Sequence, residues 1–463
     1  MASNAMHKLN SEKDRKGRPT IFGTDGIRGE AGKVLTPELV LQIGYFYGIS
    51  TETKGPVLIG QDSRNSSEMM VSALTAGLMA AGNDVWSIGL CSTPAVAHLI
   101  KEYGISGGLM VSASHNPPED NGIKFFGADG NKISYEKQKL IEEGLKKNKY
   151  IGGKSAESFE RHDLLTKYED SLIKSIQGRS LKGVSIVLDL CWGSATACGE
   201  KVFKELGADL TIINGKPDGS KINVGCGSTN LEPLKKAVKE KQAQMGFAFD
   251  GDADRMMAID ERGRVMNGDH VLYLWGSALK AKNELPDTRL VATMMSNLGF
   301  EKAWTAKGGI LDRTPVGDQH VQAAMIATKA GLGGEQSGHI LSTINGLCGD
   351  GLLTSLQIAS ICNAQNLRLS EWLDQSFTAY PQKLINIPLI DSKNSSIGWE
   401  NSELLKDELA KAKLAMGDEG RIYIRESGTE PLLRIMVESK QLEIVNKWSS
   451  RLAKVAKSEL RLA

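Results

Sequence analysis

Short apolar runs alternate with stretches of helical periodicity along most of the chain. Residues 57–59 and 84–88 are apolar runs, and residues 67–81 between them carry apolar side chains at helical spacing. The alternation continues along the chain. Helical spacing recurs at 163–177 and 195–206, and apolar runs recur at 184–189, 210–213 and 290–294. This succession predicts α/β units, each with a mostly parallel sheet and helices on its faces.

The pattern changes after about residue 380. Residues 384–388 alternate between apolar and polar side chains, and residues 403–413 have helical spacing. Apolar runs at 421–424 and 433–437 and a helix from Leu442 follow, which predicts a small α+β domain. The predicted organisation is a disordered extension, domains I to III of α/β type and domain IV, at 1–19, 20–172, 173–273, 274–384 and 385–463.

Composition and charge narrow the class of protein. The chain has 463 residues, 41% of them hydrophobic and 24% charged, which is typical of a globular protein too long for one core. The net charge of +1, without charged blocks, argues against nucleic acid or an anionic membrane as partner. No apolar run is long enough to span a bilayer, and the N-terminal segment lacks the apolar core of a secretory signal. Six scattered cysteines without a C-x-x-C pair predict reduced thiols in a cytoplasmic protein.

A polar loop with reactive groups lies between two apolar anchors at 109–126. It carries Ser114, His115 and Lys124, and Asn121-Gly122 predicts a turn. A loop held between buried anchors is where a scaffold usually carries its chemistry. An ordinary strand–turn–strand connection would explain the glycine, although not the cluster of reactive side chains.

Three carboxylates at alternate positions follow an apolar run: Asp250, Asp252 and Asp254. Oxygen ligands in this spacing suit a hard cation such as Mg²⁺. An EF-hand has acids at these offsets and at the position of Glu261, but it needs Gly where Arg255 stands. A phosphatase with an aspartyl nucleophile and a solvated turn are the other interpretations. Magnesium binding is the interpretation that we favour.

Two glycine-rich segments later in the chain carry polar groups. Glu335 and Ser337 are suited to binding sugar hydroxyls, and His339 titrates near neutral pH. A plain glycine-rich turn explains this segment equally well.

The second segment predicts a phosphate cradle, built from two arginines, two hydroxyls and free backbone N–H groups. Its members are Arg425, Ser427, Gly428, Thr429 and Arg434. Neither a P-loop nor a G-x-G-x-x-G after a strand occurs, which argues against a nicotinamide cofactor. Near the start of the chain, Arg28 lies in a further glycine-rich loop and is suited either to an anion or to solvent.

Five motifs in order, from Phe22 to about Val455, resemble those of the α-D-phosphohexomutase family. They are Phe22-Gly-Thr-Asp-Gly-Ile-Arg-Gly, Ser112-Ala-Ser-His-Asn-Pro, Asp250-Gly-Asp-Ala-Asp-Arg, Gly334-Glu-Gln-Ser-Gly-His and Arg425-Glu-Ser-Gly-Thr-Glu-Pro. The resemblance implies three related α/β domains, with mixed sheets and helices on both faces. It also implies a fourth, TATA-binding-protein-like α+β domain and a central cleft.

The resemblance also implies roles for the candidate residues. Ser114 is implied to be a phosphoserine that, with the three aspartates, binds one Mg²⁺ per active site. Lys124 and His339 are implied to be general acids and bases. Arg28, His115 and Arg255 offset negative charge and stabilise the transferring phosphoryl group. A sugar bisphosphate is the implied activator.

Within the family the chain is most similar to the bacterial phosphoglucosamine mutases. That group has Gln or Asn at the position of Gln336, where mannose and glucose mutases more often have Met. The similarity implies a hexosamine phosphate as substrate, and a monomer or homodimer. A phosphomannomutase/phosphoglucomutase and a non-catalytic sugar-phosphate-binding protein are the alternatives. The chain departs from the family pattern at Ala253, where Gly is common, and at Gln319, where Arg is common.

Overall fold

The computed structural model describes residues 12–13, 19–53, 55–147, 156–389, 399–426 and 432–459. Most of the extension that we predicted to be disordered lies outside these residues. Within them, four structural units follow one another, each with its own sheet. No helix in the described ranges has the length and apolar character that crossing a membrane requires.

Domain I contains a six-stranded mixed sheet in the order β3-β7-β6-β4-β5-β8. Its strands, after a small pair formed by β1 (Glu12–Lys13) and β2 (Pro19–Thr20), are β3 (Ile27–Glu30), β4 (Val57–Gln61), β5 (Val85–Leu90), β6 (Gly107–Val111), β7 (Asp120–Phe126) and β8 (Ser158–Glu160). Its helices are α1 (Pro37–Ser50), α2 (Ser67–Ala80), α3 (Thr93–Tyr103), α4 (Tyr135–Lys147) and α5 (Asp163–Ser175).

Strand periodicity places helices on both faces of this sheet. Val57 and Leu109 pack on one face with α1 and α2, and Leu58 and Met110 pack on the other with α3 and α5. β4, β5, β6 and β8 pair in parallel, whereas β7 pairs antiparallel with β6 and β3. The strands predicted from the apolar runs are therefore confirmed.

The turn predicted at Asn121-Gly122 is wrong. Both residues lie inside β7, where Gly122 pairs with Arg28 and Asn121 with Gly29. The Asn121 side chain is buried and donates to the Ser67 hydroxyl at 3.1 Å. A Cβ on Gly122 would lie 2.6 Å from the Ser112 carbonyl oxygen, so this glycine permits close approach of strands.

Domain II has a five-stranded sheet in the order β10-β9-β11-β12-β13. Its elements are β9 (Ser185–Asp189), α6 (Gly199–Glu205), β10 (Asp209–Ile213), α7 (Glu232–Lys241), β11 (Met245–Phe249), β12 (Met256–Asp260) and β13 (Val265–Met266). The helix predicted over 195–206 is divided into a 3₁₀ turn, Ser194–Ala197, and α6. The division falls at Cys198, whose φ of −138° is not helical.

Domain III repeats the arrangement with four strands in the order β15-β14-β16-β17. Its elements are α8 (Gly268–Ala281), β14 (Arg289–Thr293), α9 (Leu298–Ala306), β15 (Ile310–Thr314), α10 (Asp318–Thr328), β16 (Leu332–Gly334), β17 (Ile340–Ser342), α11 (Gly351–Ala364) and α12 (Leu369–Asp374). One apolar core continues through domains I, II and III.

Domain IV is the predicted α+β unit. Its elements are β18 (Gln382–Pro388), α13 (Glu403–Met416), β19 (Gly420–Glu426), β20 (Leu432–Ser439) and α14 (Leu442–Glu459). The three strands are antiparallel in the order β18-β20-β19, and the two helices pack on the sheet around a separate core. Polar contacts join domain IV to domain III: the Leu298 N–H donates to Oε1 of Glu438 at 2.9 Å, and Nε2 of Gln382 donates to the Met295 carbonyl at 3.0 Å.

Candidate active site

Ser114 lies in the connection between β6 and β7 and faces domain II. Its Oγ donates a hydrogen bond to Oδ2 of Asp250 at 2.6 Å, and Nδ1 of His115 lies 3.3 Å from the same Oγ. The residue is fully buried and has a φ of +52°, a left-handed conformation that a non-glycine residue adopts only when its surroundings hold it there.

Arg64 and Asn223, which the sequence analysis did not assign, hold the Ser114 backbone. The Ser114 carbonyl accepts from Nη2 of Arg64 at 3.0 Å and from Nδ2 of Asn223 at 2.8 Å. Both side chains also donate to the Asn116 carbonyl, and Asp62 pairs with Arg64 at 3.0 Å. The only sequence signal was that a polar Asp-Ser-Arg segment follows the apolar run of β4, and nothing marked Asn223.

The three aspartates converge in the connection between β11 and β12. One carboxylate oxygen from each lies within 4.8 Å of the others, and all three side chains are buried. Oδ1 of Asp252 is buried and accepts no hydrogen bond from any described residue. Burial, with the repulsion of Asp254 and Asp252, holds the pKa of Asp250 well above its usual range. A buried, under-satisfied all-oxygen cluster of this kind fits a hard divalent cation.

The structure decides between interpretations of this segment. Antiparallel strands flank it instead of the two helices of an EF-hand, so the EF-hand interpretation is wrong. Ala253, between the second and third aspartates, has a φ of +58°. The family's usual glycine would adopt this conformation without strain, so the alanine departure has a conformational cost.

Lys124 lies against the aspartates. Its Nζ is 2.5 Å from Oδ2 of Asp254, 2.6 Å from Oδ2 of Asp252 and 3.0 Å from Oδ2 of Asp25. Burial by itself would lower the pKa of Lys124, but these carboxylates outweigh burial and raise it well above its usual range. The ammonium group is therefore charged and offsets part of the aspartate charge.

Lys124 belongs to a closed ring of groups with alternating charge, which joins domains I, II and III. In order around the ring the members are Lys124, Asp254, His339, Asp318, Lys132 and Asp25. His339 bridges Asp254 through Nδ1 and Asp318 through Nε2, both at 3.3 Å. Burial would lower the pKa of His339, but the two aspartates outweigh it and raise the pKa to about 9.

The other residues predicted to stabilise the phosphoryl group are Arg28, Arg255 and His115. They lie beside Asp25, Asp254 and Ser114 respectively. Arg28 pairs with Asp25 at 2.5 Å, and Nε of Arg255 lies 3.8 Å from Oδ1 of Asp254. Burial, then Arg255 and Arg28, lower the pKa of His115 to about 3. His115 is thus a neutral imidazole at pH 7 while Ser114 carries a free hydroxyl, and its role beside a phosphorylated Ser114 stays a prediction.

A cleft of about 500 Å³ joins this cluster to domains III and IV. His115 and Arg255 line one side of the cleft, and the opposite side is lined by Glu335, Gln336, Ser337, Tyr423, Arg425 and Arg434. Segments of all four domains, distant in sequence, therefore meet around one cavity of a size that holds a small ligand.

The two arginines of the predicted phosphate cradle face the cleft from neighbouring strands. Arg425 on β19 pairs in register with Arg434 on β20. Burial and the charge of Arg434 lower the pKa of Arg425, which forms no ion pair with any described residue. The other predicted cradle residues, Ser427, Gly428 and Thr429, lie outside the described residues. A pair of adjacent guanidinium groups suits a phosphate.

Comparisons with known proteins identify the family. Four phosphoglucomutase/phosphomannomutase domain models match, namely alpha/beta/alpha domains I, II and III and the C-terminal domain, at residues 19–151, 165–263, 267–380 and 384–455. A phosphoglucosamine mutase of Prochlorococcus marinus (strain MIT 9303) is 59% identical over 446 residues, 95% of either chain. That of Synechococcus sp. (strain WH7803) is 56% identical over 466 residues, 100% of either chain.

Solved structures share the fold. A phosphoglucomutase/phosphomannomutase family protein from Burkholderia thailandensis has a TM-score of 0.82 at 24% identity, covering 96% of this chain and 98% of that one. An N-acetylphosphoglucosamine mutase from Aspergillus fumigatus, solved with GlcNAc-6P and magnesium, has a TM-score of 0.65 at 17% identity, covering 99% of each chain. With all four domain models matched in order, the chain belongs to the phosphoglucomutase/phosphomannomutase family.

Proposed function

We propose that this protein is a phosphoglucosamine mutase, which interconverts glucosamine 6-phosphate and glucosamine 1-phosphate. The observation that carries the chemistry is the 2.6 Å contact of the Ser114 hydroxyl with Asp250, at the edge of the cleft that also holds the sugar and phosphate candidates. Relatives that bear this name and are 56–59% identical over nearly the whole chain support the choice of substrate.

The proposed reaction transfers a phosphoryl group from Ser114 and returns another. The free hydroxyl oxygen of the sugar monophosphate attacks the phosphorus on phosphorylated Ser114, a new sugar O–P bond forms, and the serine Oγ–P bond breaks. The hydroxyl proton passes to a base of the enzyme. The sugar bisphosphate then turns over in the cleft and gives its other phosphoryl group to Ser114 Oγ, so phosphate is conserved.

Asp250, Asp252 and Asp254, together with the phosphate on Ser114, are the proposed ligands of one Mg²⁺. When bound, the cation offsets the negative charge of the transferring phosphoryl group and of the aspartates. Arg255 lies beside Asp254 and Arg28 lies beside Asp25, and both supply further positive charge. Phosphoryl transfer needs chiefly positioning and charge stabilisation, which these residues provide.

Lys124 and His339 are the proposed proton carriers, one for each orientation of the sugar. Both are buried, and aspartates raise the pKa of each, so both carry a proton at pH 7, and each must release that proton before it can accept the proton of the attacking sugar hydroxyl. Neutralising the aspartates removes the interaction that raises these pKa values, which brings both groups closer to the range where proton exchange is efficient.

The residues on the opposite side of the cleft are the proposed substrate-binding residues. Glu335 accepts from the Gly317 N–H at 3.1 Å, which fixes its carboxylate, and Ser337 is exposed in the cleft. Arg425 and Arg434, with Ser427, Gly428 and Thr429 of the same segment, are the proposed binding site of the phosphate that is not being transferred.

Gln336 supports a hexosamine over a hexose. It lines the cleft, and its Nε2 donates to Oδ2 of Asp269 at 3.2 Å, so its amide oxygen remains as an acceptor for the positively charged amino group of glucosamine. Methionine at this position would offer no acceptor of that strength. The substitution Gln336→Met is therefore expected to lower kcat/KM for glucosamine 6-phosphate about 10-fold, and to leave that for glucose 1-phosphate nearly unchanged.

The deciding measurement compares turnover of glucosamine 6-phosphate, mannose 1-phosphate and glucose 1-phosphate by the purified protein. A preference for either hexose phosphate would contradict the proposed substrate and favour the phosphomannomutase/phosphoglucomutase alternative. Mass spectrometry is expected to find phosphate on Ser114, and Ser114→Ala to abolish turnover. A protein without phosphoserine and without activity after priming with glucose 1,6-bisphosphate would be a non-catalytic binding protein instead.

Several broader features complete the proposal. We place the reaction in the cytoplasm, with a monomer or homodimer as the active form and no nucleic acid or membrane as partner. The proposed domain limits remain 20–172, 173–273, 274–384 and 385–463. Light scattering of the purified protein gives the oligomeric state, and a tetramer would contradict that part.

A further inference from the structure

A second cavity of about 510 Å³ lies at the seam between the end of α5, helices α8 and α11, and the hairpin of β16 and β17. None of the residues that line this cavity also lines the cleft that contains Arg425 and Arg434. Its volume equals that of the cleft and lies in the range of sites for small organic ligands. The reaction proposed above makes no use of it.

The interior of this cavity is mainly apolar. Trp275 and Ile361 are buried at its wall, and Leu279 and Ile344 contribute further apolar surface, with Ile344 43% exposed. Trp275 is only 1% exposed, so the apolar surface open to a ligand comes mainly from Leu279 and Ile344, and a flat ring system packs favourably on such a surface. Such a surface favours a ligand with a ring-bearing, apolar body.

The rim of the cavity is cationic. Arg179, Lys282 and Lys329 line it, and Glu284 is its one acidic residue among the described lining residues. Arg179 is half-buried and donates to neutral acceptors, namely Oε1 of Gln357 at 2.6 Å and the Ile176 carbonyl at 2.8 Å. Burial lowers the pKa of Arg179, and the nearby charge of Glu284 opposes this effect without cancelling it. In the described part of the chain, no carboxylate forms an ion pair with any of the three cations.

We propose that this cavity binds a small organic anion with a ring system, such as a nucleotide. The ring would pack on Leu279 and Ile344, and the anionic group would pair with Arg179, Lys282 and Lys329 at the rim. Charge complementarity and the apolar interior together define this class of ligand, because a simple inorganic anion would leave the apolar wall unused.

Two elements connect the cavity to the catalytic cleft. Gly331 and Ser342 line the cavity at one end of the β16–β17 hairpin, and Glu335 and His339 lie at its other end. Helix α8 ends beside the cavity, and Lys282, the residue that follows it, lines the cavity. At the other end of the helix, the Gly268 N–H donates to the Gln336 carbonyl at 3.1 Å. A ligand in the cavity is therefore expected to change the KM for the sugar phosphate.

The test uses 1-anilino-8-naphthalenesulfonate, a fluorescent aromatic anion, titrated into the folded protein. We expect one saturable site in the wild type, at least 10-fold weaker binding by Ala278→Trp, which fills the cavity, and weaker binding by Lys329→Glu at its rim. Lys241→Glu is the matched control, since it makes the same charge change on an exposed helix end away from the cavity. Arg425→Glu, in the cleft, should also bind the dye like the wild type.

Each outcome of this titration decides the question. Equal dye binding by Ala278→Trp and the wild type, or loss of binding in Arg425→Glu alone, would overturn the proposed site. Circular dichroism and unchanged basal turnover check that Ala278→Trp is folded. Saturating dye should change the KM of the wild type at least twofold and that of Ala278→Trp not at all. An unchanged wild-type KM would overturn the coupling. Dye binding needs no turnover, so it can be judged even if the proposed mutase activity fails.

Discussion

The two sides of the cleft differ in how deeply their charged side chains are buried and in how many protein partners those side chains have. On the aspartate side, His115 and Arg255 line the cleft; behind them Ser114, Lys124 and Asp252 are at most 1% exposed, and contacts between domains I, II and III hold this cluster. The arginine side, with Arg425 and Ser337, is half-buried or exposed and has few partners. The proposed chemistry thus lies where the protein is pre-organised, and the proposed recognition lies where Arg425 remains available to a ligand.

Burial explains the difference. A buried charge without a partner costs several kcal/mol, so the aspartate side must be paired within the protein, and the ring of alternating charges meets that need. The threonine at the start of α3 adds to it, since the Thr93 hydroxyl donates to the Asp252 carboxylate while the Thr93 backbone N–H donates to the Asp252 carbonyl. The half-buried Arg425 retains contact with water and tolerates the absence of an anion.

Domain IV is attached in a way that fits this division. Arg421 pairs with Glu438 at 2.5 Å within domain IV, and it also donates to the Met294 carbonyl at 2.9 Å in domain III. Arg421 and Arg425 lie on the same face of β19, because their separation is an even number of residues. Arg421 contacts domain III, while Arg425 faces the cleft. Because the core of domain IV is separate, these polar contacts set the distance between the two sides.

Removal of the cation is expected to have the largest effect. Treating the protein with EDTA should bring mutase turnover below detection, and Mg²⁺ should restore it, because three buried carboxylates and a phosphoserine otherwise repel the incoming sugar phosphate. Turnover that persists through exhaustive chelation would show that the aspartate side needs no cation. Circular dichroism before and after chelation separates loss of metal from unfolding.

Loss of the Asn223 side chain tests the pre-organisation of the aspartate side. Asn223→Gly removes the donor to the Ser114 carbonyl and tolerates the φ of +62° at this position, so kcat should fall by about 10- to 100-fold while KM is unchanged. Asn366→Gly is the matched control, because Asn366 also has a positive φ, of +52°, but is exposed and remote. A KM effect without a kcat effect would contradict the positioning role.

The arginine side should respond in the opposite way. Arg425→Ala is expected to raise KM by about 10- to 100-fold, the equivalent of one or two charge-assisted hydrogen bonds, with little change in kcat. Thermal stability should be unchanged, since Arg425 forms no ion pair with a described residue. Arg425→Lys should recover part of the affinity. If kcat fell and KM did not change, the two sides would not divide chemistry from recognition.

The smallest predicted effect concerns backbone strain on the aspartate side. Ala253→Gly should raise the free energy of unfolding by about 1 kcal/mol, because it relieves a left-handed alanine. Ala258→Gly, on the buried strand β12, should lower it by about 0.5–1 kcal/mol or more, since a strand interior gains nothing from glycine. Urea unfolding followed by fluorescence measures both. A less stable Ala253→Gly would show that the surroundings compensate the strain fully.

Much of the fold was predictable because strands and helices have different hydrophobic periods. The run 57–59 became β4, and the stretch 403–413 became most of α13, since neither assignment depends on distant partners. The turn at Asn121-Gly122 failed because its local signal competed with pairing to β3 and with burial of the Asn121 side chain. The family assignment rested on motifs and is confirmed by the four matched domains.

The sequence by itself determined which chemical groups are present and in what local order: a serine, an alternating aspartate triplet, a hydroxyl-binding loop and a pair of arginines. Tertiary structure decided their partners. Lys124 meets Asp254 across 130 residues, and Lys132 meets Asp318 across 186. Arg64 acquires its role when β4 and the serine loop of the same domain come together, and Asn223 acquires its role only when domain II packs on domain I. Local composition records the donors and acceptors that a chain holds, whereas burial and the packing of distant segments decide which of them must pair.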